Sequence, residues 1–234
     1  MNMSISHILS IAAIVLTAAS VTSCVKEEEF ANSPEGNFEM LWKIMDEHYC
    51  FFEYKDIDWQ AVHDNYARRI TPDMPSKALF EVLGEMLAEL QDGHVNLYAA
   101  HDVASYRKWY EDYPSNFNDS IADLYLGKTG EYQTASGLRY KAFSDNIGYI
   151  RYESFNDGIG EGNLSEVLNA LAICDGLIID VRNNGGGSLD NARRLASRFT
   201  EQRVLTGYIM HKTGPGHGDF SDPAPVWLEP SPYI

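Results

Sequence analysis

The stretch Gly176-Leu-Ile-Ile-Asp-Val-Arg-Asn-Asn-Gly-Gly-Gly-Ser-Leu-Asp190 decides the fold. Leu177 to Val181 is an apolar run of strand length and reads as a buried strand. It ends in a polar turn and three consecutive glycines, Gly185, Gly186 and Gly187. Leu189, Ala192, Leu195, Ala196 and Phe199 then recur at helical spacing and give the next element one apolar face. A strand, a glycine turn and a helix N-terminus together gather backbone N–H groups that lack intrahelical partners. Such groups hold an anion or a developing oxyanion. Glycines there let a ligand's backbone come close, because no Cβ intervenes.

Working outward, the segments on either side alternate. Leu138 to Phe143 and Ile147 to Tyr152 read as strands joined by Ser144-Asp145-Asn146, a hairpin. Leu164, Val167, Leu168 and Leu171 form a helix stripe. Val204 to Met210 reads as a further strand. Strand-helix-strand-helix-strand is the signature of a crossover sheet, and the class is α/β. The tail, 213–233, carries Pro215, Pro223, Pro225, Pro230 and Pro232 and reads as a loop.

Upstream the pattern is helical. Phe38, Leu41, Trp42, Met45 and Tyr49 share one face, as do Trp59, Val62, Tyr66 and Ile70 behind an N-cap at Asp58. Leu79, Phe80, Leu83, Leu87 and Leu90 form a third stripe, with Ser76 as its cap and Gly93 in the C-terminal glycine position. His94 to Tyr98 reads as a short strand, and part of Val103 to Tyr113 as helical.

The chain has 234 residues and a net charge of −16, which argues against nucleic acid and against electrostatic attachment to anionic lipid. Ile8 to Val21 is apolar or small and short for a membrane span. It runs into Val21-Thr22-Ser23-Cys24, which resembles a bacterial lipoprotein signal with Cys24 as the lipidated residue, although Met1 to His7 holds no Lys or Arg. Val25-Lys26-Glu27-Glu28-Glu29 is similar to the surface-export run of Bacteroidetes-type lipoproteins. The resulting division is 1–23 signal peptide, 24–36 polar tether, 37–98 helical region, 99–137 connecting segment and 138–234 α/β core. Localisation follows as the cell envelope, lipid-anchored at the outer membrane, either periplasmic or surface-exposed. Cys50 and Cys174 fit no zinc or redox spacing and read as buried free thiols, with a disulfide as the alternative.

Three segments occur in order: Leu90-Gln-Asp-Gly-His94, Ile147-Gly-Tyr-Ile-Arg-Tyr-Glu-Ser-Phe155, and Leu177-Ile-Ile-Asp-Val-Arg-Asn-Asn-Gly-Gly-Gly187. Together they resemble the C-terminal-processing (tail-specific) serine protease family, in its tricorn-core-like branch. The resemblance spans roughly residues 38–234. It implies a serine peptidase with a crotonase-like ββα catalytic core, C-terminally incomplete here, whose glycine turn, Gly185 to Gly187, supplies the oxyanion hole. It also implies His94 as a candidate general base, a role imidazole suits because it takes and returns a proton near neutral pH. Gly93 stands where the tricorn pattern has a serine, and His94 reads equally well as a structural histidine at a helix-strand corner.

No serine here fits the nucleophile's place, which the resemblance puts just past Ile234. The 234-residue chain alone is therefore expected to be inactive. Ser188 reads as a helix cap, and Ser154 and Ser165 as turn and cap residues. A dinucleotide site is excluded because Asp190 stands where the third glycine of that fingerprint belongs. His48 and His63 fall on helices, and His101, His211 and His217 are scattered, His217 on an exposed loop. No metal and no cofactor are implied. The expected partner is a peptide or unfolded protein substrate. The alternative is a non-catalytic surface lipoprotein that binds peptides or an envelope protein.

Overall fold

The helical stripes fold as a first layer with its own core. In the computed structural model, which describes residues 29–115 and 117–233, helix α1 (Pro34–His48) is capped by Ser33, whose hydroxyl accepts the Gly36 N–H at 3.1 Å. It begins three residues inside the stretch read as a tether. Short α2 (Phe52–Lys55) leads to α3 (Trp59–Ala67), capped by Asp58 as its sequence indicates. Helix α4 (Ser76–Ala88) starts with Ser76 inside it and Pro75 at the cap position, so the hydroxyl does not cap. Phe38, Phe52, Trp59, Tyr66, Leu83, Met86 and Leu90 bury together. Trp42 and Trp59 lock α1 to α3 by exchanging indole N–H bonds with each other's carbonyls, both at 3.1 Å.

The exit from α4 differs from the glycine-stop reading. The left-handed residue is Gln91 (φ 48°), not Gly93. Beyond it, β1 (Asn96–Tyr98) pairs antiparallel with β2 (Val103–Ser105), and only α5 (Lys108–Glu111) is helical in the stretch 103–113. Helix α6 (Asp119–Leu126), capped by Asn118, closes the connecting segment.

The second layer is a four-stranded sheet in the order β3 (Gln133–Ala135), β4 (Leu138–Ala142), β5 (Ile147–Tyr152), β6 (Gly176–Asp180). The β4–β5 hairpin is antiparallel, turning at Asn146 with φ 63°. β6 joins β5 in parallel after crossover helix α7 (Glu161–Leu171). Alternation along β5 explains the layering. Ile150 and Tyr152 bury against Leu164, Val167 and Leu195, while Tyr149 and Arg151 point to the opposite face.

Three expectations are corrected here. β6 is the edge strand of the sheet, and Leu177 (37%), Ile178 (50%) and Val181 (42%) remain exposed. β7 (Val204–Ile209) does not extend that sheet but pairs antiparallel with β8 (Ala224–Leu228), in the tail read as loop. Helix α8 (Leu189–Ala196) ends early in a 3-10 turn, Ser197–Phe199. The tail returns to α8 through Ser231 N–H to Ser197 C=O at 2.9 Å and Arg198 to Tyr233 C=O at 2.8 Å. Among the described residues no helix is long and apolar enough to cross a membrane. Cys24 and the leader lie outside the described residues.

Candidate active site

The chain leaves β6 at Asp180 and turns at once. Asn184 N–H closes on Val181 C=O at 3.1 Å, with Asn183 at φ 57°, a conformation asparagine tolerates. Gly186 (φ 93°) and Gly187 (φ 132°) then occupy backbone space that side chains disfavour. The turn is laced to the segment after β5. Phe155 N–H donates to Gly186 C=O at 2.9 Å, and Ser188 N–H to Phe155 C=O at 3.1 Å. A Cβ on Gly187 would lie 2.3 Å from the Asn156 nitrogen, whereas one on Gly185 would meet nothing within 4 Å. Backbone conformation thus requires the second and third glycines, and packing the third as well. The first faces open space, where a ligand could sit.

The donors of the turn divide in the same way. Asn184 is a clamp: its amide nitrogen donates to Tyr152 C=O at 3.0 Å, and its oxygen accepts the Gly186 N–H at 2.8 Å. The N–H groups of Gly185 and Gly187 have no acceptor among the described residues. They flank the start of α8, whose N-cap Ser188 makes no side-chain capping bond. Ser188 holds the cap position, but its hydroxyl leaves the helix donors open. Unpaired donors at a helix N-terminus favour negative charge.

Beneath the turn lies a charged cluster. Asp180 is buried and accepts from Arg182 through Nε at 2.9 Å and Nη2 at 2.7 Å, and from Tyr149 Oη at 2.6 Å. The Arg182 hydrogen bonds hold its carboxyl well below the usual carboxylate range, against the opposing effect of burial. Burial, and then the bond to Asp180, push the Tyr149 phenol up to about 12. Buried Arg151 donates to Arg182 C=O at 2.5 Å, so one guanidinium fixes the first residue of the turn. Phe117 from the connecting segment stacks over Arg151 at 4.4 Å and Arg182 at 5.4 Å. A cleft of about 890 Å³ opens beside this cluster between α6 and the sheet, walled by Ile121, Tyr125, Phe143, Tyr149, Ile178 and Arg182.

His94 stands on the helical layer with its ring fully exposed, and no described hydrogen bond joins it to the glycine turn. Its Nδ1 lies 3.2 Å from Asp92 Oδ1, which also accepts the His94 backbone N–H at 2.9 Å. Gly93 has a steric reason to lack a side chain, since its Cβ would fall 2.2 Å from the Trp109 indole nitrogen. Asp92, Asn184, Asp180 and Arg151 escaped the sequence reading. All four sat inside the quoted motifs, but partners such as Tyr49 for Asp92 and Tyr149 for Asp180 are distant in sequence.

Other candidates resolve into structural roles. Ser154 accepts the Asn156 N–H in a turn. Ser165 lies within α7 rather than at its cap, and accepts from Arg198 at 2.9 Å. His217 is not a free loop residue: its ring stacks on Phe52 at 4.4 Å and its Nε2 lies 2.8 Å from Asp46, tying the tail to α1 and α2. Cys50 and Cys174 are free thiols, and Cys50 is exposed rather than buried. Among the described residues no cluster of His, Cys, Asp and Glu could hold a metal ion.

The tricorn protease C1 domain profile matches residues 30–88, the helical layer. The peptidase family S41 profile matches residues 146–223, which contain β5, β6 and the glycine turn. A crystal structure of a candidate peptidase from Parabacteroides merdae ATCC 43184 is 50% identical, covers 87% of this chain and superposes with a TM-score of 0.81. This chain spans 64% of that protein's length. The photosystem II D1 C-terminal processing protease (13% identity, 84% of this chain and 71% of that one, TM-score 0.42) and mature CPAF complexed with lactacystin (11%, 76% and 61%, 0.49) are similar only at a level that adds nothing to the assignment. No curated protein matches the chain. With both profiles in chain order and a half-identical relative over most of its length, the chain belongs to peptidase family S41, the family of the C-terminal-processing proteases.

Proposed function

We propose that this chain carries the oxyanion-binding half of a serine peptidase that cleaves peptides or unfolded protein. The observation that carries the reading is the donor pattern of the glycine turn. Asn184 holds the Gly186 N–H, and the two flanking N–H groups have no acceptor among the described residues. Attack by a serine on a peptide carbonyl moves charge onto its oxygen. Fixed donors stabilise that charge without reorganising, each worth about 3–4 kcal/mol in a related chemistry. His94 is the base in this reading: its imidazole takes the hydroxyl proton and returns it to the leaving amine. The cleft beside Arg182 supports an extended, largely apolar stretch of substrate next to the turn.

Hydrolysis of an unfolded protein tests this, with the present chain and a version extended past Ile234 run side by side. The proposal expects cleavage by the latter that a serine-directed reagent abolishes and that falls at least tenfold in His94→Ala. Cleavage that survives the serine reagent would contradict it.

We also propose lipid attachment at Cys24, supported by the apolar run 8–21 that ends at Ser23-Cys24. Labelling of cells with a fatty-acid analogue should mark the protein and should not mark Cys24→Ala. Equal labelling of both would refute the anchor.

A further inference from the structure

Two groups hold the Asp92 carboxylate before it ever meets His94. Its Oδ2 accepts from Tyr49 Oη at 2.8 Å and faces Lys55 Nζ at 3.8 Å. Lys55 is itself fixed, donating to Leu90 C=O at 2.6 Å and Gln91 C=O at 3.1 Å just past α4. Tyr49 is buried, stacked edge-on against Phe52 at 5.0 Å. Asp92 is thus anchored from the core side, with its side chain only 11% exposed, and its remaining oxygen Oδ1 points at His94. That oxygen takes both the backbone N–H (2.9 Å) and the ring Nδ1 (3.2 Å) of His94. The opposite ring nitrogen, Nε2, has no partner among the described residues.

We propose that Asp92 is a positioning residue that keeps the Nδ1 of His94 protonated and so leaves Nε2 as the proton-accepting atom. A carboxylate accepts and cannot donate, so the ring nitrogen facing it must carry the hydrogen. The inference rests on the reading of His94 as the general base. In that reaction the serine oxygen bonds to the peptide carbon while its proton passes to Nε2. The carbonyl electron pair moves to oxygen, and the ring becomes an imidazolium. Collapse of the intermediate breaks the C–N bond, and the same proton leaves Nε2 for the amine. Throughout, Asp92 faces the positive ring and stabilises it, the service a third group gives to a nucleophile-base pair.

Electrostatics favour the ionised form of Asp92. Burial would raise its pKa, but the hydrogen bonds from the His94 N–H, Tyr49 and the His94 ring, with Lys55 nearby, hold it below the usual carboxylate range. Trp109, seated over Gly93, encloses the turn on its outer side. The rival account is a backbone turn alone, in which Oδ1 serves the N–H of residue 94 and the ring is a bystander.

Asp92→Asn separates the two, because asparagine keeps the acceptor for the backbone N–H and loses the charge. The ring nitrogens of His94 in the present chain, labelled with 15N and assigned by comparison with His94→Gln, report the tautomer at alkaline pH. The wild type is expected to be predominantly Nδ1-protonated. Asp92→Asn should shift the tautomer ratio toward Nε2–H on the order of threefold to tenfold. An unchanged ratio, or a wild type already protonated at Nε2, overturns the proposal. Should Asp92→Asn fail to fold, Tyr49→Phe releases Oδ2 with Asp92 in place. A smaller shift in the same direction is then expected, and no shift overturns the inference. Hydrolysis that survives His94→Ala in a chain extended past Ile234, beside an Asp92-dependent tautomer, would sink the general-base reading and leave the pairing intact.

Discussion

Asn184 holds Gly186 by the backbone: its side-chain oxygen accepts the glycine N–H at 2.8 Å while its amide nitrogen donates to Tyr152 C=O at 3.0 Å. The middle donor of three is therefore consumed within the protein, and the outer two have no acceptor among the described residues. Asn184→Ala removes both bonds. It should cost about 1–2 kcal/mol in urea denaturation and speed hydrogen exchange at the Gly186 amide. Unaltered exchange there would show that the clamp does not hold the turn.

The glycines should separate by substitution. Gly187→Ala puts a methyl 2.3 Å from the Asn156 nitrogen at a φ of 132°, and a loss of roughly 2 kcal/mol or more is expected. Gly185→Ala meets nothing within 4 Å and should leave stability within about 0.5 kcal/mol of the wild type. In a chain extended past Ile234, the same Gly185→Ala should lower kcat/KM at least tenfold by crowding the carbonyl's approach. Thermal and denaturant melts of the two variants, with peptide hydrolysis for Gly185→Ala, check the contrast.

Two groups give opposite pH signatures. Asp180 is held low by Arg182, so its contribution is present above its unfolded value near 4 and is lost as pH falls. Half-buried His63 is raised. Burial opposes the charged ring, but the hydrogen bonds it donates to the Asp64 and Glu39 carboxylates outweigh it. Its contribution is complete below about 6.5 and is lost as pH rises through the folded value. Melting temperature measured across pH should show both slopes. Asp180→Asn should flatten the acid limb and His63→Gln the limb above neutrality.

Gly93→Ser restores the residue of the tricorn pattern but drives its Cβ to 2.2 Å from the Trp109 indole. Trp109 is largely exposed and can swing away, so the fold should survive while Trp109 moves into water. A red shift in tryptophan emission that is absent in Gly93→Ser/Trp109→Phe checks this.

Much of this was legible in the sequence. Helix stripes such as Leu79, Leu83 and Leu87 carry their period in the chain, and the Leu138–Tyr152 hairpin is fixed by two strands and a three-residue turn. The glycine turn declared itself because three glycines have few other uses between a strand and a helix. What escaped depends on partners far along the chain. The run Leu177 to Val181 has the composition of a central strand, yet it sits at the sheet edge, and only neighbouring strands decide that. The left-handed residue past α4 is Gln91 rather than Gly93, and Gly93 instead leaves room for the Trp109 indole, a residue 16 positions on. Asp92 is readable as a turn residue. Its pairing with Tyr49, 43 positions away, is not.

The account rests on Gly185 and Gly187 as donors to the carbonyl oxygen of a substrate. The most direct measurement is the amide spectrum of a chain extended past Ile234 after reaction with an aryl phosphonate monoester, whose phosphorus bonds to a nucleophilic serine oxygen as aryloxide leaves, giving a tetrahedral phosphorus with negatively charged oxygens. The account expects a covalent adduct in which the Gly185 and Gly187 amide protons move downfield and gain protection from exchange, while Gly186, already bonded to Asn184, stays where it was. Absence of an adduct, or an adduct that leaves both outer amides unmoved, would contradict it.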